Sequence, residues 1–115
     1  MHKLKDLKVW KKSIELAKEV YLKLPAFPEE EKYNLISQIR RSAISASSNI
    51  AEGAGRNSNN EFKHFLGIAN GSLYELHTQL ILTKEIYQHI PIEEKLFKSI
   101  EEIQKMIYGL IKKLS

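Results

Sequence analysis

Cysteine is absent from the 115-residue sequence, and proline and glycine are scarce, with three and five residues. Without cysteine the chain has no disulfide framework and no cysteine-ligated zinc site, a composition that fits a reducing compartment such as the cytoplasm. No apolar run approaches the roughly 20 residues that span a bilayer, and the N-terminal segment lacks the apolar core of a signal peptide. We therefore expect a cytoplasmic protein that makes no use of a membrane.

Amphipathic helices account for most of the sequence. Hydrophobic residues make up 43% and charged residues 28%, which is typical of one soluble globular domain. Apolar residues recur every three or four positions in four stretches. They predict helices at Asp6–Lys23, Glu29–Glu52, Ser58–Tyr87 and Ile92–Leu114. Short connections between the helices predict an all-α fold, an antiparallel up-down-up-down four-helix bundle that forms a single domain over residues 1–115.

The apolar stripes predict which residues form the core. We expect the stripe of the first helix to be Leu7, Trp10, Ile14, Ala17, Tyr21 and Leu24, with Trp10 as a core or interface anchor. The third helix has the longest regular stripe, from Phe62 to Tyr87. The second and fourth helices carry shorter ones, at Ile36, Ile39, Ala43, Ala46 and Ile50, and at Leu96, Ile100, Ile103, Ile107, Leu110 and Leu114.

Small side chains dominate the second helix over Ser42–Ala51, which includes Asn49. Small residues on several sides of a helix let neighbouring helix axes approach closely, so we expect this helix to be central in the bundle or to face another subunit. Gly53 and Gly55 follow, and either is suited to the left-handed conformation that ends many helices.

Two further glycines, Gly67 and Gly71, interrupt the third helix beside its apolar stripe. Each costs a helix about 1 kcal/mol relative to alanine. We expect compensation by close approach of another helix, for example the small-residue face of the second.

The three arginines of the chain, Arg40, Arg41 and Arg56, all lie in the second helix or the turn after it. Glu52 stands at the end of that helix, where the helix dipole disfavours a carboxylate, so it should have a partner. That partner is either an arginine or the free backbone N–H groups at the start of the third helix. The arginines have two interpretations. They form salt bridges with Glu52 within or between subunits, or they contact phosphate, for which the planar guanidinium is well suited.

The first 23 residues carry seven lysines against three acidic residues, so the net charge of +4 of the chain arises there. Lys8, Lys11 and Lys12 are at the centre of this group. A lysine-rich helix face either serves solubility or contacts an anionic partner such as nucleic acid.

No catalytic constellation stands out. Glu61 and His64 have the Glu-x-x-His spacing of di-metal bundles, but those proteins use two such motifs and only one is present. Ser58 and Glu61 fit the spacing of a helix capping box, which explains Glu61 better. The glycines before Ser58 lack the lysine and the preceding strand of a phosphate-binding loop. We therefore expect no metal, no cofactor and no enzymatic activity.

Blocks distributed over almost the whole chain resemble a known family. They are Leu7–Trp10, Phe27–Pro28, Glu31–Arg41, Asn49–Arg56, Glu61–Phe62, Phe65–Leu66 and Ala69–Leu76. Together they resemble the four-helix-bundle proteins encoded in intervening sequences of bacterial 23S ribosomal RNA genes. The resemblance implies an antiparallel four-helix bundle and, from the wider group, a homopentameric ring. Related bundles act as accessory proteins of diversity-generating retroelements, where they bind a reverse transcriptase and nucleic acid.

Two functions follow as hypotheses. The first is a homo-oligomeric, non-enzymatic bundle, with a pentamer as the expected assembly, that binds RNA or a nucleoprotein complex through Arg40, Arg41, Arg56, Lys8, Lys11 and Lys12. Five subunits would multiply the net charge to about +20. The second is a scaffold or protein-interaction module without a nucleic-acid role, in which Trp10, Asn49, Glu52, Gly53, Gly55 and Gly71 serve packing or a subunit interface.

Overall fold

The computed structural model describes residues 2–115 and contains four α-helices. They are α1 (Lys8–Lys23), α2 (Leu35–Ala54), α3 (Asn59–Ile86) and α4 (Glu94–Leu114). Short 3-10 turns lie at Leu4–Asp6, Leu24–Ala26 and Glu29–Glu31, and no strand occurs within residues 2–115. The all-α prediction is therefore confirmed. The molecule is elongated, at 44 × 24 × 21 Å, as a bundle built around the 28-residue α3 should be.

Contacts between the helices show that neighbours run antiparallel. Between α2 and α3, Arg41 meets Glu75 near one end and Gly53 meets Phe62 near the other. Between α1 and α4, Lys12 pairs with Glu102 and Lys23 with Glu93, which directly precedes α4. In each helix pair, residues later in the first helix contact residues earlier in the second, as antiparallel helices require. With α1 beside α2, α2 beside α3, α3 beside α4 and α4 beside α1, the chain forms an up-down-up-down bundle.

The predicted core is right for three helices. The stripe residues of α2, and those of α3 from Phe62 to Thr83, are buried, while Tyr87 is half-buried. In α4 the stripe is buried from Leu96 to Ile107 and half-buried at Leu110 and Leu114. Ile90 and Ile92, in the α3–α4 connection, close the core at that end.

The stripe expected for α1 was wrong by one register, except at Leu24, which is buried as predicted. The buried side of α1 consists of Val9, Ser13, Leu16 and Val20, followed by Leu24. From the expected stripe, Leu7, Trp10 and Ala17 are only half-buried, and Ile14 and Tyr21 are 43% and 39% exposed. Two apolar stripes of helical period overlap on this helix, and periodicity alone does not say which one faces the core. The other stripe is left on the surface beside α2.

The closest helix pair is α2 with α3, and small residues make it possible. Ser72 donates a hydrogen bond to Ser45 across the seam at 2.9 Å, and Asn49 donates to the Ser45 carbonyl and hydroxyl at 2.8 and 3.0 Å. At the end of the seam, a Cβ on Gly53 would lie 2.9 Å from both Phe62 Cδ1 and Phe65 Cβ. The close approach expected at the small residues of α2 is therefore confirmed against α3, with Gly53 packed directly against Phe62 and Phe65. Within the bundle α2 has two neighbours, as each of the other helices does.

The glycines differ from expectation in their backbone conformation and in their contacts. Neither Gly53 nor Gly55 is left-handed, since no residue of the described chain has a positive φ, and Gly55 has φ −86° and ψ −3°. The helix ends instead with hydrogen bonds from the Gly55 and Arg56 amides to the Ala51 and Gly53 carbonyls. Gly67 and Gly71 face open space, since a Cβ on either would have no neighbouring atom within 4 Å. The close helix contact expected at those two glycines is absent within the subunit.

Side-chain hydrogen bonds form at the starts of α2 and α3. At α3 Ser58 caps the helix, with the Glu61 amide donating to Ser58 Oγ at 3.1 Å. The Glu61 carboxylate accepts from Ser58 Oγ at 3.2 Å rather than from the Ser58 amide, so only one of the two bonds of the predicted capping box is formed. The second helix begins at Leu35 rather than at Glu29, because Glu29–Glu31 form a separate 3-10 turn. Glu31 still serves α2, since its carboxylate accepts from the Leu35 amide at 3.3 Å and from the Tyr87 hydroxyl.

Within residues 2–115, every helix is too short or too polar to cross a lipid bilayer.

Gly53 and Gly71 give a matched pair of substitutions. We expect Gly53→Ala to lower the free energy of unfolding by about 1–3 kcal/mol, because its methyl group overlaps Phe65 Cβ and lies close to the Phe62 carbonyl. Gly71→Ala should raise it by up to about 1 kcal/mol, since the methyl enters open space and alanine favours the helix. Urea unfolding at one protein concentration measures both. A stable Gly53→Ala variant would contradict the close packing described.

Tyr87 should make the stability of the fold vary with pH in the alkaline range. Its hydrogen bond to the Glu31 carboxylate, assisted by partial burial and the negative charge, raises the pKa of Tyr87 to about 12. The folded state therefore keeps this proton where the unfolded chain loses it, and the stabilisation present below pH 10 is lost as pH rises towards 12. The difference in stability between the wild type and Tyr87→Phe should be constant from neutral pH to about pH 9 and shrink between about pH 10 and 12. A pH-independent difference would contradict the bond.

Candidate nucleic-acid interface

The charges of the bundle separate along its length. We divide each helix at its midpoint and call residues 2–15, 45–72 and 104–115 the basic half. It holds ten lysines and arginines against four acidic residues, a net +6. Residues 16–44 and 73–103 form the opposite half. It holds eight lysines and arginines against ten acidic residues, a net −2. The positive potential is therefore concentrated at one end of the molecule.

The antiparallel fold produces this separation, because it brings both chain termini and the α2–α3 turn to the same end. The His2 amide donates to the Ala54 carbonyl at 2.9 Å, and the Lys63 ammonium lies 3.4 Å from the Ser115 hydroxyl. The lysine-rich beginning of the chain thus joins the lysines at its end. The lysines of the basic half are Lys3, Lys5, Lys8, Lys11, Lys12, Lys63, Lys105, Lys112 and Lys113.

Arg56 anchors the α2–α3 turn within the basic half. Its guanidinium lies 3.5 Å from Glu52, 3.6 Å from Glu61 and 4.7 Å from the centre of the Phe65 ring. Glu52 therefore has the cationic partner that its position requires. All three charged side chains are about half exposed, so the pairs stabilise the turn by less than about 1 kcal/mol each. The same exposure leaves part of the Arg56 guanidinium open to a further ligand.

Arg40 and Arg41 lie apart from Arg56, in the opposite half. Their separation from Arg56 is about 15 residues, or about 22 Å along a helix axis. Arg41 bonds the Gln38 amide oxygen at 3.2–3.3 Å and Glu75 at 3.0 Å, which ties α2 to α3. Arg40 lies over the Tyr21 ring at 5.8 Å. The structure therefore does not gather the three arginines into one site.

The predicted lysines stand close together on the first turns of α1. Lys8 and Lys11 are exposed, and Lys12 pairs with Glu102 of α4 at 2.8 Å. Hydrogen bonding to Glu102 and its negative charge raise the pKa of Lys12. Sequence reasoning missed Lys63, Lys112 and Lys113 as members of the same surface. Only the fold makes them neighbours of the N-terminal lysines, since they are far apart along the chain.

The described residues contain no cluster of three or more side chains suited to hold a metal ion. Glu61 is engaged by Ser58 and Arg56, and His64 lies on the surface with its ring 5.3 Å from that of Phe65. Glu61 therefore serves the start of α3, and His64 takes no part in it.

A family model for the 23S rRNA-intervening sequence protein matches residues 5–109. The chain belongs to this family. A similar fold occurs in a crystallised protein of unknown function from the S23 ribosomal protein family of Bacteroides thetaiotaomicron, with 28% identity and a TM-score of 0.74. The match covers 90% of this chain and 98% of that one. No curated protein matches the chain significantly.

The match to the 23S rRNA-intervening sequence family includes α1, α2, α3 and most of α4, and the resemblance in the sequence is confirmed. Neither the family description nor that of the crystallised relative names a catalytic activity.

Proposed function

We propose that the protein is a non-enzymatic, homo-oligomeric bundle of the cytoplasm that binds structured RNA or an RNA–protein complex through its basic half. The separation of charge along the bundle carries the proposal. Ten cationic side chains on one end of a small protein favour a polyanion, because each phosphate contact releases condensed counterions. The family's link to 23S ribosomal RNA genes favours RNA among polyanions.

Under this proposal, the role of each predicted residue depends on whether it lies in the basic half. Lys8, Lys11 and Lys12 would contact phosphates from α1, and the exposed part of the Arg56 guanidinium would add a contact from the α2–α3 turn. Arg41 would act within the subunit, since Gln38 and Glu75 already occupy its guanidinium. Arg40, in the opposite half, would contribute to RNA binding only through another subunit of the assembly.

Two exposed apolar stripes support self-association. One lies between α1 and α2 and consists of Ile14, Tyr21 and Ile44, flanked by the half-buried Trp10 and Ala17. The other follows the α2-facing edge of α3, where Ile68, Leu82 and Ile86 share the helix face of Glu75 and are 40–58% exposed. Two different stripes that meet between successive subunits would make a head-to-tail contact, which closes into a ring when the rotation between subunits is an integral fraction of a full turn. A pentamer is the assembly that we propose.

A scaffold or protein-interaction module without a nucleic-acid role is the second candidate. It is favoured by the engagement of Arg41 and Arg56 with carboxylates of their own subunit. In that case the apolar stripes would be the functional surfaces and the basic half would serve solubility.

Substitutions in the first stripe should reduce the assembly mass. We expect Ile14→Glu combined with Ile44→Glu to yield a folded monomer, because buried carboxylates without partners are strongly unfavourable in an interface. Leu22→Glu is the matched control, since Leu22 is 70% exposed on the same helix but lines the α4 side. Light scattering measures the mass. An unchanged mass in the double variant would exclude this stripe from the interface.

Charge removal from the basic half should weaken RNA binding. We expect replacement of Lys3, Lys5, Lys8, Lys112 and Lys113 by Gln to lower affinity for a structured RNA about tenfold or more at low salt, and to flatten its salt dependence. The control replaces five lysines of the opposite half, Lys18, Lys32, Lys84, Lys95 and Lys98, and changes the net charge equally. Fluorescence anisotropy over a salt series measures both. Equal losses in the two variants would contradict a localised site, and no RNA binding by the wild type would leave the scaffold function.

A further inference from the structure

An open groove of about 390 Å³ lies between α3 and α4. Its walls are formed by Asn70, Tyr74, Glu101, Gln104, Lys105 and Tyr108. Tyr74 and Tyr108 are 63% and 64% exposed, one on each helix. Within the described residues, neither tyrosine hydroxyl makes a hydrogen bond. Two large aromatic rings are thus presented to solvent from opposite walls of one groove.

The two ends of the groove carry opposite charges. Lys105 is one of its walls, and the Lys112 ammonium lies 5.1 Å from the centre of the Tyr108 ring. Both lysines belong to the basic half, so the groove is continuous with the positive end of the bundle. Glu101 lies at the other end, in the opposite half. A negatively charged chain is therefore attracted from the basic end and repelled at the Glu101 end.

The surface beside the groove is unusually bare for a helix. Gly71 precedes Tyr74 by one turn and Gly67 by two turns, and a methyl group on either would touch nothing in the subunit. Glycine weakens a helix, and no packing within the subunit compensates for it here. An external group that lies against the α3 backbone beside Tyr74 would provide the compensation.

Amide groups complete the chemistry of the groove. Asn70 lines it, and the Nε2 atom of Gln104 is buried without an acceptor among residues 2–115. The side-chain amide of Asn70 offers both a donor and an acceptor to the groove, which suits the edges of nucleobases. Exposed aromatic rings, lysines and amides in one groove are the groups that bind unpaired nucleotides.

We infer that the α3–α4 groove binds single-stranded RNA, with bases stacked on Tyr74 and Tyr108 and phosphates near Lys105 and Lys112. The inference rests on the proposed RNA-binding function and adds to it a site for unpaired nucleotides beside the basic half. Stacking accepts every base, because each has a π face, so the site would favour single strands without strong sequence preference.

Anisotropy with two labelled RNAs tests the site, using a 12-nucleotide oligouridine and a blunt hairpin with a short, closed loop. The Tyr74→Ala, Tyr108→Ala double variant should bind oligouridine about tenfold or more weakly and the hairpin as the wild type does. Alanine preserves both helices, and Tyr→Phe at the two positions should restore binding because the ring is kept. Tyr33→Ala is the matched control, since Tyr33 is 83% exposed in the opposite half.

The outcomes separate this inference from the proposed function. If the tyrosine variant binds oligouridine normally while the lysine variant of the basic half loses the hairpin, the groove is not the site but RNA binding stands. If the wild type binds neither RNA at low salt, both fail. Photocrosslinking with 4-thiouridine gives a second readout. Crosslinks on α3 and α4 peptides that contain Tyr74 or Tyr108 support the groove, and crosslinks confined to other peptides overturn it.

Discussion

The close packing of α2 against α3 determines the arrangement of much of the surface. Gly53 allows Phe62 and Phe65 to pack against the end of α2, and Ser45 and Ser72 meet across the middle of the seam. Larger side chains at these positions would separate the helices. Because the seam fixes the rotation of α2 about its axis, Arg41 reaches Glu75 on α3 while Arg40 lies over Tyr21 on the α1 side.

The same topology explains how a modest net charge becomes a strong local one. An even number of antiparallel helices places both chain ends at one end of the bundle, with the α2–α3 turn beside them. The lysines near both termini therefore combine, and Arg56 lies at the same end, where it pairs with Glu52 and Glu61. The acidic connections before α2 and α4 lie at the far end of the bundle. The connection before α2 contains Glu31, which bonds the first amide of that helix. Long-range attraction of a polyanion would orient it towards the basic half before any specific contact forms.

The sequence predicted the bundle well because its strongest signals are local. Regular stripes in α3 and α4, the Ser58 cap of α3 and the need of Glu52 for a partner all reappear in the structure. The α1 register was not predictable from periodicity, since two overlapping stripes satisfy the same spacing and only packing against the other helices selects Leu16 over Ile14.

The candidate sites were less predictable, because they depend on residues distant in sequence. Nothing local relates Lys112 to Lys8, or Tyr74 to Tyr108, and adjacency of the arginines along α2 suggested a cluster that the helix geometry separates. Glycine was similarly ambiguous. Gly53 and Gly71 look alike in the sequence, yet one is enclosed by phenylalanine side chains and the other faces open space.

The measurement that tests the proposed role most directly is the mass of the particle in solution, by light scattering, with and without total bacterial RNA at low and high salt. We expect a particle several times the 13.3 kDa chain mass that gains RNA at low salt and releases it steeply as salt increases. A particle that ignores RNA at every salt concentration would contradict nucleic-acid binding. A 13.3 kDa monomer would contradict the assembly itself.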